Sequence, residues 1–176
     1  MIAIIFILPA PVFAGYDYPL IFPYNWHKVL HILGAVLFLG NIIVTGLWMA
    51  WAEQTKNASV LRFASKVVNW ADVIFTAPGI ILLLWNGLTL SKTWGGALET
   101  SWIMIALGLF GASGIVWLAF LVPDQHRLIK ISHSQLNADI LPPEFYSTLH
   151  GWYFWGIVAT ILPLISLAFM VLKPEL

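Results

Sequence analysis

Cysteine is absent from the 176 residues, which removes disulfides, thiol chemistry and cysteine-held iron–sulfur clusters from consideration. Charge is almost as scarce. Only 9% of the chain is Asp, Glu, Lys or Arg, against roughly 25% in soluble domains, so a water-soluble fold is excluded. The eight basic and eight acidic residues cancel to zero. They form no run of one sign, which argues against nucleic acid as a partner.

What fills the chain instead is apolar: 60% of residues are hydrophobic and ten are Trp. A bilayer core about 30 Å thick needs about 20 apolar residues per helix, and four runs meet that length, at about 26–51, 70–91, 101–122 and 149–172. The third is bounded by Pro123 and the fourth by Pro174. The expectation is an all-α integral membrane four-helix bundle over 26–176. It follows a segment, 1–25, that begins with a short apolar run from Ile2 to Leu8. That run is too short to span. It reads as a retained interfacial segment, although Val12-Phe13-Ala14 resembles a signal-peptidase site. The Trp residues gather near the ends of the runs, where amphipathic rings favour the headgroup region. The loop from Asp124 to Thr148 carries Pro142-Pro143, and 125–138 within it suits a short amphipathic surface helix.

In lipid, polar side chains face the bundle interior or a cavity. On helix one His31, Gly34, Phe38, Asn41, Thr45 and Trp48 share one helical face, with His27 one turn earlier. His31 reads either as a packed, hydrogen-bonded residue or as a ligand of haem iron, since one intramembrane His can hold haem. His27 reads as an interfacial residue or, less readily, as a metal ligand. On helix three Met104, Gly108 and Gly111 lie together. The glycines allow close approach of another helix or a flat cofactor, and Met104 is the conventional iron ligand at the depth of His31. Helix two carries Asp72, Thr76, Gly79 and Asn86, with Pro78 as a kink; Asp72 reads as hydrated near the loop side. His126, His133 and His150 fall among acidic residues at irregular intervals and read as a solvated loop. His150 begins helix four on the face opposite His31, about 25–30 Å away, so one haem cannot be held by both.

The stretches KVLHILGAVLFLGNIIVTGLW, NWADVIFTAPGIILLLWNG, SGIVWLAFLVPDQHRL and WGIVATILPLISLAFMVLKP together resemble an uncharacterised bacterial family of four-helix predicted integral membrane proteins, which brings no established activity. A more distant resemblance is to the bacterial four-helix protoporphyrinogen IX oxidase and the copper-resistance D-type membrane domain. It rests on Leu30-His31-Ile32, on Thr76-Ala77-Pro78 with Gly87, and on Lys173-Pro174. It implies haem binding at His31. The oxidase also uses a Lys early in its third helix, but Trp102 is followed here by Ile103, Met104, Ile105 and Ala106. The Arg-containing stretch that ends the oxidase's first helix is likewise replaced, by 41–51 without a positive charge.

These readings lead to a haem-b-binding membrane protein, acting in electron transfer or as an accessory of a respiratory or haem-handling complex, with His31, Met104, Gly34 and Gly108 at the cofactor. The alternatives are a cofactor-free structural subunit, packed against other membrane subunits or a second copy, and copper or other solute handling. The resemblance implies a bacterial inner membrane. Lys56, Arg62, Lys66, Arg127 and Lys130 on one side, against Lys28, Lys92 and Lys173 on the other, put the first and third loops in the cytoplasm and both termini outside. Reporters fused at Asn57 and Gln135 are expected to behave as cytoplasmic; an external location at both sites inverts the orientation.

Overall fold

The computed structural model describes residues 7–134 and 139–175, all helix, turn or irregular chain with no strand among them. The Gln135 fusion site and the end of the expected 125–138 surface helix lie outside the described residues. Four helices are long and apolar enough to cross a bilayer: helix one Tyr24–Gln54, helix two Ala58–Trp94, helix three Ser101–Ser134 and helix four Pro143–Leu172.

The connections follow from local chemistry. Helix one passes to helix two through Thr55, Lys56 and Asn57. Lys56 adopts a φ of 52°, and Asn57 Oδ1 accepts the backbone N–H groups of Ser59 at 2.8 Å and Val60 at 3.3 Å, satisfying donors that the first turn leaves open. Gly95 and Gly96, with φ of 95° and 118°, turn the chain towards helix three in a region that glycine enters without steric cost. Pro143 opens helix four, where its missing N–H is no loss.

Three of the expected helix boundaries are corrected. Helix two starts at Ala58, helix three runs through Pro123 to Ser134, and helix four starts at Pro143. Pro123 does not end its helix, because the chain changes pitch before it. Residues Asp72–Thr76 and Trp117–Leu121 are π-helical, closed by Ala77 N–H donating to the Asp72 carbonyl and Val122 N–H donating to the Trp117 carbonyl. Pro78 and Pro123 come next at the same offset. A proline cannot donate to the carbonyl four residues back, and its ring crowds that group; the wider π turn accommodates both effects without breaking the helix.

Helices one and two cross backbone to backbone. A Cβ added at Gly34 would lie 2.5 Å from Leu83 N and 2.7 Å from the Gly79 carbonyl oxygen, and one added at Gly79 would lie 2.8 Å from Phe38 N. Helix three is tied to helix four by Ser113 Oγ donating to the Ala159 carbonyl at 2.6 Å and Ser166 Oγ donating to the Ala106 carbonyl at 2.9 Å. Phe38 and Phe110, ring centroids 5.3 Å apart, join the two pairs. At the loop end Leu61, Val68, Leu128, Phe145 and Leu149 form a second core. At the opposite end Val12 packs with Leu88, Ala97 and Ile103, and Tyr18 donates to the Leu8 carbonyl at 2.9 Å, so residues 8–18 lie folded against the bundle, while most of the Ile2–Leu8 run lies outside the described residues.

Of the expectation that Gly108 and Gly111 face another helix or a flat cofactor, contact with a helix of this chain is corrected: a Cβ at either meets nothing within 4 Å among the described residues. Their small size serves no contact among the described residues. Accordingly Gly34→Leu and Gly79→Leu should each lower the thermal transition, by the ~3 kcal/mol that forced overpacking costs. Gly108→Leu, which improves helix propensity, should cause no loss. Equal losses at all three positions would contradict the crossing.

Candidate functional site

The chemistry in this bundle gathers on one carboxylate. Asp72, 6% exposed, opens the first π turn. Its Oδ1 accepts from Asn41 Nδ2 at 3.0 Å and Thr76 Oγ1 at 3.0 Å, and its Oδ2 accepts from Gln125 Nε2 at 2.8 Å. Asn41 Nδ2 also donates to Thr76 Oγ1 at 2.8 Å. Helices one, two and three therefore meet at one acidic side chain. The sequence expectation of a hydrated Asp72 is corrected. Asn41 stands about 20 Å along helix one from Lys28 and about 18 Å from Glu53, at 1.5 Å per residue, so its partner Asp72 lies inside the bilayer zone. The Asp72 partner Gln125 sits among the charged or titratable residues Asp124, His126 and Arg127 of helix three.

The magnitudes bear on what Asp72 is for. An acidic residue at the centre of a membrane helix costs roughly 3 kcal/mol, and less towards the surface. Interhelical hydrogen bonds in membranes return about 0.6 kcal/mol each, so three offset about 2 kcal/mol. The hydrogen bonds thus offset most of the burial cost and leave Asp72 a weak staple on its own.

Beside it lies a cavity of about 560 Å³, walled by Phe38, Ile42, Ile80, Phe110, Trp117 and Leu121. Asp72, Thr76 and Gln125 form its polar end. Ile43 and Leu47 of helix one and Ile157 and Ile161 of helix four also line it, and all four are exposed. The cavity is thus a cleft that opens between helices one and four towards the space lipid would occupy. The second π turn contributes Trp117 and Leu121 to its wall, as the first contributes Asp72 and Thr76 to its end.

The histidines do different work. His27, 1% exposed, accepts the backbone N–H groups of Ile21 and Phe22 on Nε2, each at 3.2 Å. Its Nδ1 lies 2.7 Å from Asn86 Oδ1, so Nδ1 carries the proton. Both ring nitrogens are used, so His27 serves as a staple between the chain before helix one and helix two. His31 Nδ1 lies 2.8 Å from the Leu83 carbonyl oxygen, to which it donates. The ring rests over Gly87, where a Cβ would come within 2.8 Å of Cε1.

The sequence matches, over residues 26–174, the family described as Predicted integral membrane protein (DUF2269). The chain belongs to this family. No curated protein and no solved structure matches it. As a member of the DUF2269 family it is an integral membrane protein with four candidate spans; the family description names no activity.

In this family member the expected site residues do not converge. Gly34 is filled by helix two rather than by a slot. Met104 is 48% exposed and, like Gly108, stands on the outer face of helix three, whereas His31 is bonded to helix two. His150 lies 3.3 Å from Glu53, at the opposite end of helix one from His31. No group of three or more His, Asp or Glu placed to hold a metal ion occurs among the described residues.

The sequence does not announce the Asp72 cluster, because Pro123 reads as the end of helix three and Gln125 falls beyond it, at the start of a separate surface helix. The available signal was polarity out of place: Asn41 and Asp72 each interrupt a long apolar run.

Proposed function

We propose that this protein binds a lipid-soluble amphiphile, taken sideways from the bilayer into the cleft between helices one and four, with the amphiphile's polar end at Asp72. The observation that carries the reading is a carboxylate fixed by three helices at the inner end of an apolar cleft whose rim faces the lipid. Ionisable residues within a membrane domain that face a cavity mark ligand or ion pathways by default, and apolar pockets with a few convergent polar groups are the usual form of a binding site.

The cleft can be closed without disturbing the packing, since a Cβ at Gly46, one of its lining residues, meets nothing within 4 Å. Lipid extracted from purified wild-type protein should contain a retained amphiphile at near-stoichiometric amount. Gly46→Phe should lose it while keeping its thermal transition. Equal retention by both proteins, or none by either, contradicts the reading.

A second reading is haem b held by His31 near the outer end of helix one, in an electron-transfer or accessory role at a bacterial inner membrane. One observation favours it: Nδ1–H is committed to the Leu83 carbonyl, the second contact that fixes ring and tautomer in metal-bound histidines, and nothing among the described residues bonds Nε2. The fit is limited to His31, because Gly34, Met104 and Gly108 form no slot around it. Protein purified from cells supplied with haem should then show a Soret band that His31→Ala removes and His150→Ala leaves in place. A colourless wild-type preparation sinks this reading and leaves the cleft untouched.

A further inference from the structure

We infer that the polar end of the cleft's occupant is a hydroxyl of a neutral lipid, donating to Asp72 and accepting from Trp152. The inference rests on the cleft reading and specifies its ligand.

The polar atoms at the inner end of the cleft are chiefly acceptors. A carboxylate offers about four lone-pair sites. Asn41 and Thr76 take two on Oδ1 and Gln125 takes one on Oδ2, so one remains on Oδ2. Gln125 is itself 6% exposed, and with Nε2 committed to Asp72 its Oε1 accepts from no described residue. The serine and threonine hydroxyls that line the cleft have spent their protons, Thr76 on Asp72 and the others on backbone. Thr45 Oγ1 donates to the Asn41 carbonyl at 2.7 Å, Ser113 Oγ to the Ala159 carbonyl at 2.6 Å and Thr160 Oγ1 to the Gly156 carbonyl at 2.7 Å. A head group that only accepts hydrogen bonds would face lone pairs at this end.

Charge narrows the class. Among the described residues no Lys, Arg or His lines the cleft, so a phosphate or carboxylate would meet Asp72 with no counter-charge. An ammonium would donate, but two further polar groups of the lining, the Trp152 indole and the Tyr153 hydroxyl, argue for an atom that also accepts. Trp152, 7% exposed, and Tyr153 line the same cleft, and neither the indole N–H nor the Tyr153 hydroxyl has a hydrogen-bond partner among the described residues. Buried indole N–H groups ordinarily find one. A hydroxyl oxygen accepts from Trp152 while its proton goes to Asp72; an ammonium nitrogen has no lone pair to offer.

The test compares a long-chain primary alcohol with its methyl ether, which accepts but cannot donate, by equilibrium binding to the full-length protein in lipid nanodiscs. Wild type should bind the alcohol about tenfold more tightly, the order of one hydrogen bond to a charged group. Asp72→Asn should shrink that preference severalfold, and Trp152→Phe, which keeps an aromatic ring there, should weaken both probes alike. Equal affinity of wild type for alcohol and ether, with both sensitive to Gly46→Phe, overturns the donor inference and leaves the cleft reading standing. Affinities unchanged by Trp152→Phe overturn the indole contact. If neither probe binds wild type, the cleft reading falls as well.

Discussion

A carboxylate held away from water has to be satisfied by the protein, and Asp72 is satisfied only because three helices deliver Asn41, Thr76 and Gln125 to it. The rest of the bundle can be understood as what makes that meeting possible. Helices one and two must approach closely, which Gly34 and Gly79 allow. Helix three must continue past Pro123 to present Gln125, which the π turn at Trp117–Leu121 allows. Helix four, tied to helix three through Ser113 and Ser166, stays far enough from helix one along part of its length to leave the cleft.

The two π turns recur at the same distance before a proline, and both border the cleft. A π turn inserts one residue into the helical phase and so rotates every later residue about the axis. In helix two it lets Asp72 and Thr76 point to the same partner, Asn41, although each also bonds the other. In helix three it sets Trp117 and Leu121 against the cleft and carries Gln125 round to Asp72. Proline here shapes the site rather than ending the helices, and glycine serves contact at Gly34 and Gly79 but not at Gly108.

How much was legible in the sequence depends on the physics at each point. The four spans were, because apolar length is a direct consequence of bilayer thickness. So was the inward stripe of helix one from His31 to Thr45, although Trp48 turns outward. The boundaries were not, because proline at Pro123 and charge beyond it look the same in sequence whether a helix stops or continues as an amphipathic extension. The site was not either. Asn41, Asp72 and Gln125 are separated by tens of residues, and their convergence depends on helix crossings that no local pattern encodes. His27 illustrates the same limit: its position near the start of helix one reads as interfacial, and its partners turn out to be backbone amides and Asn86.

The absence of cysteine makes the central claim, a cleft open to lipid that ends on Asp72, directly measurable, because a single introduced cysteine carries the only label. A nitroxide at Gly46→Cys in lipid nanodiscs should collide readily with membrane-dissolved oxygen and little with a water-soluble relaxing agent. The control is the same label on Val36, an exposed residue of the same helix. Oxygen accessibility at position 46 close to that at position 36 is the result this account predicts. A label at position 46 shielded from oxygen while position 36 is open would mean that helices one and four close on each other, and would contradict it.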